Sequence, residues 1–297
     1  MLVIGIILGF VGLIFIISIY VNNNSVAKAK NDILIGITLP YSELKNEEVL
    51  VIVDSYKREN IKFVVIGSIA FIPTFFITYN SFQFLYLFLW IIVLIYGSNK
   101  VFIKYNRKLM DLKREKEWFR GIYKDNDEYW KNNVYNNPND QRTMVEKRVG
   151  YGFEYNLATK KGKIMTYGSY AIAIIIPAVL LFMFFIFDFS KFNLSIEDEV
   201  VKISAPVYGT SFEIKDIQDI ELVDNISIMV RTNGIGTARY SLGNYNIKDY
   251  GKSKLYVYTG NSPYIAIKVE DKYVFINGES KEETDKYYKE LIGEWEE

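Results

Sequence analysis

Four long apolar runs constrain this chain more than any other feature of its sequence. Residues 2–20 contain no charged side chain, and comparable runs lie at 61–79, 81–97 and 165–187. About 20 apolar residues in a helix span the roughly 30 Å hydrocarbon core of a bilayer. The sequence therefore predicts four transmembrane helices within a membrane region of residues 1–188.

Two of these runs admit an alternative interpretation. The run at 81–97 is the shortest, which leaves open whether it spans the bilayer fully or is a buried core segment. Residues 2–20 could be a cleaved signal peptide, because Ala27-Lys28-Ala29 resembles a cleavage site. However, no Lys or Arg precedes that run, and it is longer than the usual apolar core of a signal peptide. We therefore expect a retained helix.

Basic residues indicate how the helices are oriented. Lys and Arg cluster at one end of each run, and basic loops tend to stay in the cytoplasm. Residues 98–164 carry 16 basic and 9 acidic side chains, whereas residues 189–297 carry 13 and 19. We therefore expect residues 21–60 and 98–164 to be cytoplasmic segments, and the N-terminus and residues 192–297 to be extracytoplasmic.

The inventory of reactive side chains excludes several classes of enzyme. The chain has no histidine and no cysteine, so it has neither the commonest general base nor a thiolate. Zinc enzymes and the usual Ser-His-Asp and Cys-His hydrolases are excluded on this ground. The 35 basic and 35 acidic residues balance, which also argues against a nucleic-acid partner. We expect no enzymatic activity, no cofactor and no metal.

A basic amphipathic helix is predicted directly after the third run, from Lys100 to Arg120. Its apolar stripe consists of Phe102, Tyr105, Leu109, Leu112 and Phe119. Such a helix can lie on an anionic leaflet while its basic side chains contact headgroups. The candidate headgroup contacts are Lys104, Arg107, Lys108 and Arg114. The alternative is a helix that packs on the segment before the second span.

The most motif-like stretch lies at 132–158, before the fourth run. Asn137-Pro138-Asn139-Asp140 predicts a turn, because Pro fixes φ and Asn and Asp bond their own backbone. Basic residues follow this turn, and the candidate docking loop for an acidic group consists of Asp140, Arg142, Lys147 and Arg148. The alternative is a membrane-proximal anchor without a ligand.

The C-terminal region alternates apolar and polar residues with a period of two. The predicted strands are VVKIS, YGTSFEI, DIELV, SIMVR, TARYSL, KLYVYT, YIAIKV and KYVFIN. Asn233-Gly234 and Glu270-Asp271 are predicted as hairpin turns. Ser280-Lys-Glu-Glu283 is a capping box that begins an amphipathic helix. The fold class is thus an α-helical membrane region of four transmembrane helices followed by a small all-β barrel or sandwich capped by one α-helix.

The region 192–297 resembles the bacterial pleckstrin-homology (PH) domains of Gram-positive membrane proteins. The resemblance rests on the strand order, on RTNGIGTAR at 231–239, on SPYIAIK at 262–268 and on the final helix. Residues 132–165, with NPND and EKRVGYGF, resemble an uncharacterised companion segment of similar multi-span proteins. Both resemblances imply a fold and carry no catalytic residues.

These observations lead to one expected function and one alternative. We expect a non-enzymatic, multi-pass protein of a bacterial cell membrane that is embedded in the lipid bilayer and displays a PH-like domain to a protein or peptide partner. Envelope sensing and immunity to a membrane-active peptide are two roles that fit. The alternative is a subunit of a transporter or channel complex, although 2–20, 63–79, 81–97 and 165–187 contain no Asp, Glu, Lys or Arg.

Overall fold

The computed structural model describes residues 2–119 and 125–296. Four of its helices are long and apolar enough to cross a membrane, as predicted. They are α1 (Leu2–Val26), α2 (Glu47–Phe71), α3 (Asn80–Glu115) and α4 (Lys160–Phe189). The third apolar run is part of a 36-residue helix that continues into the basic segment, and its full span of a bilayer stays a prediction.

The chain forms two compact units. One comprises residues 2–77 and 83–179, and the other comprises residues 78–82 and the chain from residue 180 onward. In the first unit, Asn46 caps α2 by accepting the Glu48 N–H at 3.0 Å. From this cap, α2 runs without a break into the second apolar run.

The end of α2 is interrupted by Pro73, which lies in a 3₁₀ turn, Ile72–Phe76. Proline has no backbone N–H, and hydrocarbon offers no water to replace a lost bond. Side chains of α3 bond the carbonyls of this region: Tyr86 Oη donates to Ala70 at 2.6 Å and Trp90 Nε1 donates to Gly67 at 2.9 Å. The α2–α3 pair is therefore joined by hydrogen bonds as well as by apolar packing.

A buried polar cluster joins α1, α2 and α3, and we call it the polar clamp. Asn23 Nδ2 donates to Asn60 Oδ1 at 2.7 Å and to Ser98 Oγ at 2.8 Å. Ser98 Oγ in turn contacts Asn23 Oδ1 at 3.1 Å. Asn23 and Asn60 are buried, so each amide depends on the others for hydrogen bonds.

Beyond the polar clamp, the helices lead to a buried core outside the four apolar runs, and we call it the extramembrane core for its place relative to those runs. A short hairpin, β1 (Ile33–Leu34) with β2 (Ile37–Thr38), follows α1, and a 3₁₀ turn, Tyr41–Lys45, precedes α2. The fully buried side chains of this core include Ile35, Leu39, Val49 and Leu109, which come from the hairpin, α2 and α3.

Residues 125–159 add two small hairpins to the first unit. A 3₁₀ turn, Asp127–Tyr129, leads into β3 (Trp130–Lys131), which pairs with β4 (Val134–Tyr135). Then β5 (Met144–Glu146) pairs with β6 (Phe153–Tyr155).

In the second unit, α4 ends against the start of α3. Asp188 Oδ2 accepts the Ser81 N–H at 2.6 Å, so a carboxylate from one helix caps the N-terminus of another. The rings of Tyr79 and Phe189 stack beside this bond, with centroids 5.3 Å apart. Asp188 is buried, which means that its bond to Ser81 is shielded from water.

The C-terminal domain consists of a smaller antiparallel sheet, a larger mixed sheet and a final helix, and strands followed by a helix were predicted. The smaller sheet has the order β7–β8–β9 and the larger has the order β10–β14–β15–β13–β12–β11. The bounds are β7 (Asn193–Glu197), β8 (Val200–Ser204), β9 (Thr210–Glu213), β10 (Ile217–Val223), β11 (Ile228–Gly236), β12 (Tyr240–Ile247), β13 (Gly251–Tyr258), β14 (Tyr264–Val269), β15 (Lys272–Ile276) and α5 (Lys281–Glu296), with a 3₁₀ turn Ile214–Asp216.

Both faces of the larger sheet are buried. One face packs against the smaller sheet and α5 around Leu242, Tyr256 and Ile267. Only residues 224–227 connect β10 to β11, although these strands lie at opposite edges. The five residue steps from Val223 to Ile228 reach about 17 Å when fully extended. A flat sheet of six strands would be about 24 Å wide, which is farther than this connection can reach. The sheet therefore curls, and its second face encloses Leu255 and Phe275.

The Glu270-Asp271 hairpin is confirmed. The capping box of α5 is confirmed in one arm: Ser280 Oγ accepts the Glu283 N–H at 3.2 Å, but the Glu283 carboxylate accepts the Glu279 N–H.

One predicted turn is wrong. Asn233-Gly234 lies inside β11, and the chain turns at 237–239 instead. Gly234 faces Gly243 on β12, and a Cβ on Gly234 would lie 2.3 Å from the Leu242 carbonyl oxygen. That glycine allows two strands to approach closely rather than allowing a turn.

One strand of the domain was missed. The first predicted strand, VVKIS, begins at Val200, whereas β7 begins at Asn193. Asp198 and Glu199, both with positive φ, form the turn between β7 and β8. Acidic residues in both positions do not resemble the Asn-Gly type of turn.

We expect Asn23→Leu to destabilise the helices by about 1–2 kcal/mol, because Asn60 would lose its buried partner. Thermal unfolding of the full chain in detergent, followed by tryptophan fluorescence, measures this loss. Asn24→Leu is the matched control, one position outside the polar clamp. Equal effects of the two substitutions would show that the clamp adds no stability.

Candidate functional site

Four of the five side chains in the apolar stripe of the predicted basic helix are buried inside the protein, whereas Phe119 is 50% exposed. Phe102, Tyr105, Leu109 and Leu112 all lie in the extramembrane core, packed against α2 and the β1–β2 hairpin. The helix ends at Glu115, and Arg120 lies outside the described residues. The prediction that this stripe enters the headgroup region is therefore wrong, and the alternative of packing against the start of α2 is confirmed.

The four candidate headgroup residues do not form one surface patch. Lys104 Nζ pairs with Glu59 at 2.5 Å, and Lys108 Nζ lies 5.2 Å from the centre of the Tyr105 ring. Arg107 and Arg114 instead line a cleft beside α3. Contact of these residues with lipid headgroups stays a prediction. Insertion of the apolar stripe into the membrane surface no longer supports it.

The cleft has a volume of about 720 Å³ and a mixed lining. Its apolar walls are Met110, Phe119 and Trp130. Its polar lining residues are Asn106, Arg107, Asp111, Arg114, Asp125, Asp127, Glu128, Lys131 and Asn132. Acidic and basic groups nearly balance, so the lining favours neither an anion nor a cation.

At the inner end of the cleft lies a buried ionic network, which we call the Asp127 network. Lys113 Nζ is fully buried and lies 2.7 Å from Asp127 Oδ2 and 2.6 Å from Asp125 Oδ2. Arg148 Nη2 pairs with the other Asp127 oxygen and also donates to Thr38 Oγ1. Two cations thus meet two carboxylates, and α3 is tied to residues 125–148 and to β2.

The electrostatics of the network favour the ionised form of Asp127. Burial alone would raise the pKa of its carboxyl, because a charge in a poorly solvated site is unfavourable. The attraction of Arg148 and the hydrogen bonds from Lys113 and the Thr38 N–H outweigh burial. The pKa of Asp127 is therefore lowered below its ordinary value.

The predicted docking loop is only partly a surface feature. The NPND turn is confirmed: the Asp140 N–H donates to the Asn137 carbonyl at 3.3 Å, and Asn156 Nδ2 donates to the Asp140 carbonyl at 2.8 Å. Asp140 accepts both Arg142 Nε and Nη2, which lowers the pKa of its carboxyl. Lys147 is partly exposed.

Arg148 is the member of that loop that the structure places elsewhere. It is buried in the Asp127 network, so it is not part of a surface that docks an external group. Sequence reasoning overlooked Lys113, Asp127 and Thr38, because charged residues between a predicted helix and a turn look like solvated surface. The one available indication was the Asp125-x-Asp127 pair close to several basic residues.

Chemically, the arrangement braces the fold rather than performing a reaction. Its carboxylates are each engaged by cations, and among residues 2–119 and 125–296 no group of three acidic side chains is placed to hold a metal ion. The network therefore holds the extramembrane core and residues 125–148 in one arrangement.

The C-terminal domain has a second ionic feature where it leaves α4. Glu279 pairs with Lys191 at 2.9 Å and also with Arg239, whose guanidinium lies 5.5 Å from the centre of the Tyr258 ring. The hydrogen bond from Lys191 lowers the pKa of Glu279. A shallow pocket of about 340 Å³ lies beside Arg239, Tyr258 and Asn261. This bridge ties the end of α4 to the sheet.

We expect Asp127→Asn to cost about 3–5 kcal/mol, because Arg148 would be left buried without a full counter-charge. Denaturant unfolding of the full chain in detergent measures the loss. Because the folded pKa of Asp127 lies below its unfolded value, its contribution is present above about pH 4 and is lost as the pH falls further. Lys116→Gln, which breaks the exposed pair with Glu48, should cost far less. A smaller loss for D127N than for K116Q would contradict this account.

Comparison with known proteins bears on the C-terminal domain. Residues 192–291 match the family model described as "Bacterial PH domain". No curated protein and no solved structure matched the chain. The matched range begins at Phe192, directly after α4, and includes all nine strands and most of α5. Four helices apolar enough to span a membrane are therefore followed in this chain by a bacterial PH domain.

Proposed function

We propose that this chain is a multi-pass protein of the bacterial cell membrane, of Gram-positive type, whose PH domain binds a protein or peptide partner on the extracytoplasmic side. The observation that carries the proposal is the attachment of the domain to α4. Only Ser190 and Lys191 separate the helix from Phe192, which is buried and stacks on Tyr258 at 4.3 Å. The PH domain therefore begins directly at the end of a helix that is apolar enough to cross a membrane.

The side chains of the domain favour binding over catalysis. Burial raises the pKa of Tyr240, Tyr256 and Tyr258 to about 12, so these phenols stay protonated near neutral pH and cannot act as bases. The excess of acidic residues in 189–297 also argues against binding of anionic lipid headgroups by the domain as a whole. Envelope sensing and immunity to a membrane-active peptide are the two roles that we propose for such a module.

The proposed sidedness follows from the basic residues at the helix ends and from the helix connections. Asp188 brings the end of α4 next to the start of α3. In the proposed arrangement, the α2–α3 turn and the start of the PH domain therefore lie on the same side of the membrane. The basic segment 98–164 follows the other end of α3. Positive-inside statistics then favour a cytoplasmic position for 98–164 and an extracytoplasmic PH domain.

We expect a cysteine at Lys272 to react with an impermeant maleimide on intact cells, and a cysteine at Lys131 to react only after the cells are permeabilised. Both positions are exposed, and the chain has no native cysteine to interfere. The opposite labelling pattern would reverse the proposed orientation.

Binding itself is tested by site-specific photo-crosslinking in cells. A photoreactive residue at exposed positions around the PH domain, such as Lys215, Lys252 and Lys272, should give a crosslinked product that a residue at Lys131 does not give. Absence of a product from every position on the domain would contradict the proposal that it binds a partner.

A second candidate function, a subunit of a larger membrane complex, is favoured by α4. No residue in the most apolar part of this helix is buried, so its surface is free to contact lipid or other spans. Native electrophoresis of the protein extracted in mild detergent distinguishes the two proposals, because a subunit migrates with partner chains.

A further inference from the structure

One edge of the larger sheet is open to solvent. Strand β11 is the last strand on its side of the sheet, and within residues 2–119 and 125–296 it pairs with β12 alone. All of its residues from 228 to 233 are exposed, including Ile228, Met229 and Val230, of which Met229 is 67% exposed. Natural proteins usually protect such an edge, because its unpaired backbone groups and apolar side chains bind other extended chains.

The charges of the domain are sharply segregated along the chain. Residues 225–269, which contain β11 to β14, carry six basic residues and one acidic residue. Residues 189–224 and 270–297 together carry seven basic and 18 acidic residues. The acidic character of the domain as a whole therefore hides a basic region, and the open edge strand lies within it.

Three of these basic side chains are available near the edge. Arg231, Lys248 and Lys252 are exposed and have no ion-pair partner among the described residues. Arg231 lies on β11 itself, and the Lys248 N–H donates to the Ser227 carbonyl just before β11. Lys252 pairs with Asn246, which pairs with Val230, so these three residues form one row across the sheet.

We infer that the outer edge of β11 binds an extended acidic segment of a partner protein by strand addition. The backbone of the segment would pair with β11. Its apolar side chains would contact Ile228 or Val230, and its acidic side chains would approach Arg231, Lys248 or Lys252. This inference rests on the proposed function, since it names the surface and the chemistry of the partner.

The charges argue against the other occupants of this edge. Two copies of β11 pairing with each other would bring two Arg231 side chains and two sets of lysines together, which is unfavourable for like charges. An anionic bilayer would use the basic residues but would leave the backbone groups of the edge unpaired in a dry environment. An acidic extended peptide satisfies the charges, the backbone and the apolar side chains together.

The test uses the full chain in nanodiscs of neutral phosphatidylcholine and an eight-residue peptide that alternates valine and glutamate. Hydrogen exchange of the β11 amides should slow when the peptide binds, whereas the amides of α5 should not change. An alternating valine–lysine peptide and a valine–glutamate peptide with alternate N-methyl groups should each bind at least about tenfold more weakly. Protection confined to a region other than β11 would overturn the inference.

Variants separate the electrostatic and membrane alternatives. The double variant R231E/K248E should weaken binding of the valine–glutamate peptide by about tenfold or more, whereas the matched double variant K215E/K286E should leave it within about twofold. If anionic phosphatidylglycerol nanodiscs without peptide protect β11, the edge is a membrane contact and the inference fails. Crosslinks in cells from Lys215 or Lys272 but none from β11 would overturn this inference while leaving the proposed function intact.

Discussion

Hydrocarbon offers no hydrogen-bond partner, and in the four helices that are apolar enough to cross it several polar groups are paired within the protein. Each backbone group must be satisfied by the protein itself, so the apolar runs form helices. Where the helical ladder breaks at Pro73, Tyr86 and Trp90 from the next helix bond the nearby carbonyls. Where two amides are buried, Asn23 and Asn60 bond each other. Polar groups in this region thus join helices to one another.

The same helices build the extramembrane core, so membrane and extramembrane parts are mechanically continuous. α3 contributes Trp90 to the packing within the membrane region and Leu109 to the extramembrane core. The Asp127 network then fixes residues 125–148 to the far part of α3 and to β2 through Lys113, Arg148 and Thr38. A displacement of α3 along its axis would break ionic contacts that are costly to leave unpaired.

The periodic features of the chain were predictable, whereas the long-range contacts were not. Apolar length located the four helices, and alternation located most strands of the PH domain, because both patterns are local. The prediction of a turn at Asn233-Gly234 was wrong because the same dipeptide suits both a tight turn and the close approach of two paired strands. Only the pairing of Gly234 with Gly243 distinguishes the two cases. The prediction that Arg148 belongs to a surface docking loop was wrong for the same reason. Its partner Asp127 lies 21 residues away, and nothing in the local sequence marks the pair as buried.

The bond between Asp188 and Ser81 has a consequence for the order in which the protein is made. Its two residues lie 107 positions apart, so the ribosome completes α3 long before it reaches the carboxylate that caps that helix. In the proposed membrane placement, the Ser81 N–H must until then be satisfied by interfacial water or by lipid headgroups. Completion of α4 therefore withdraws the start of α3 from those temporary partners, and this bond can form before the PH domain that follows has been made.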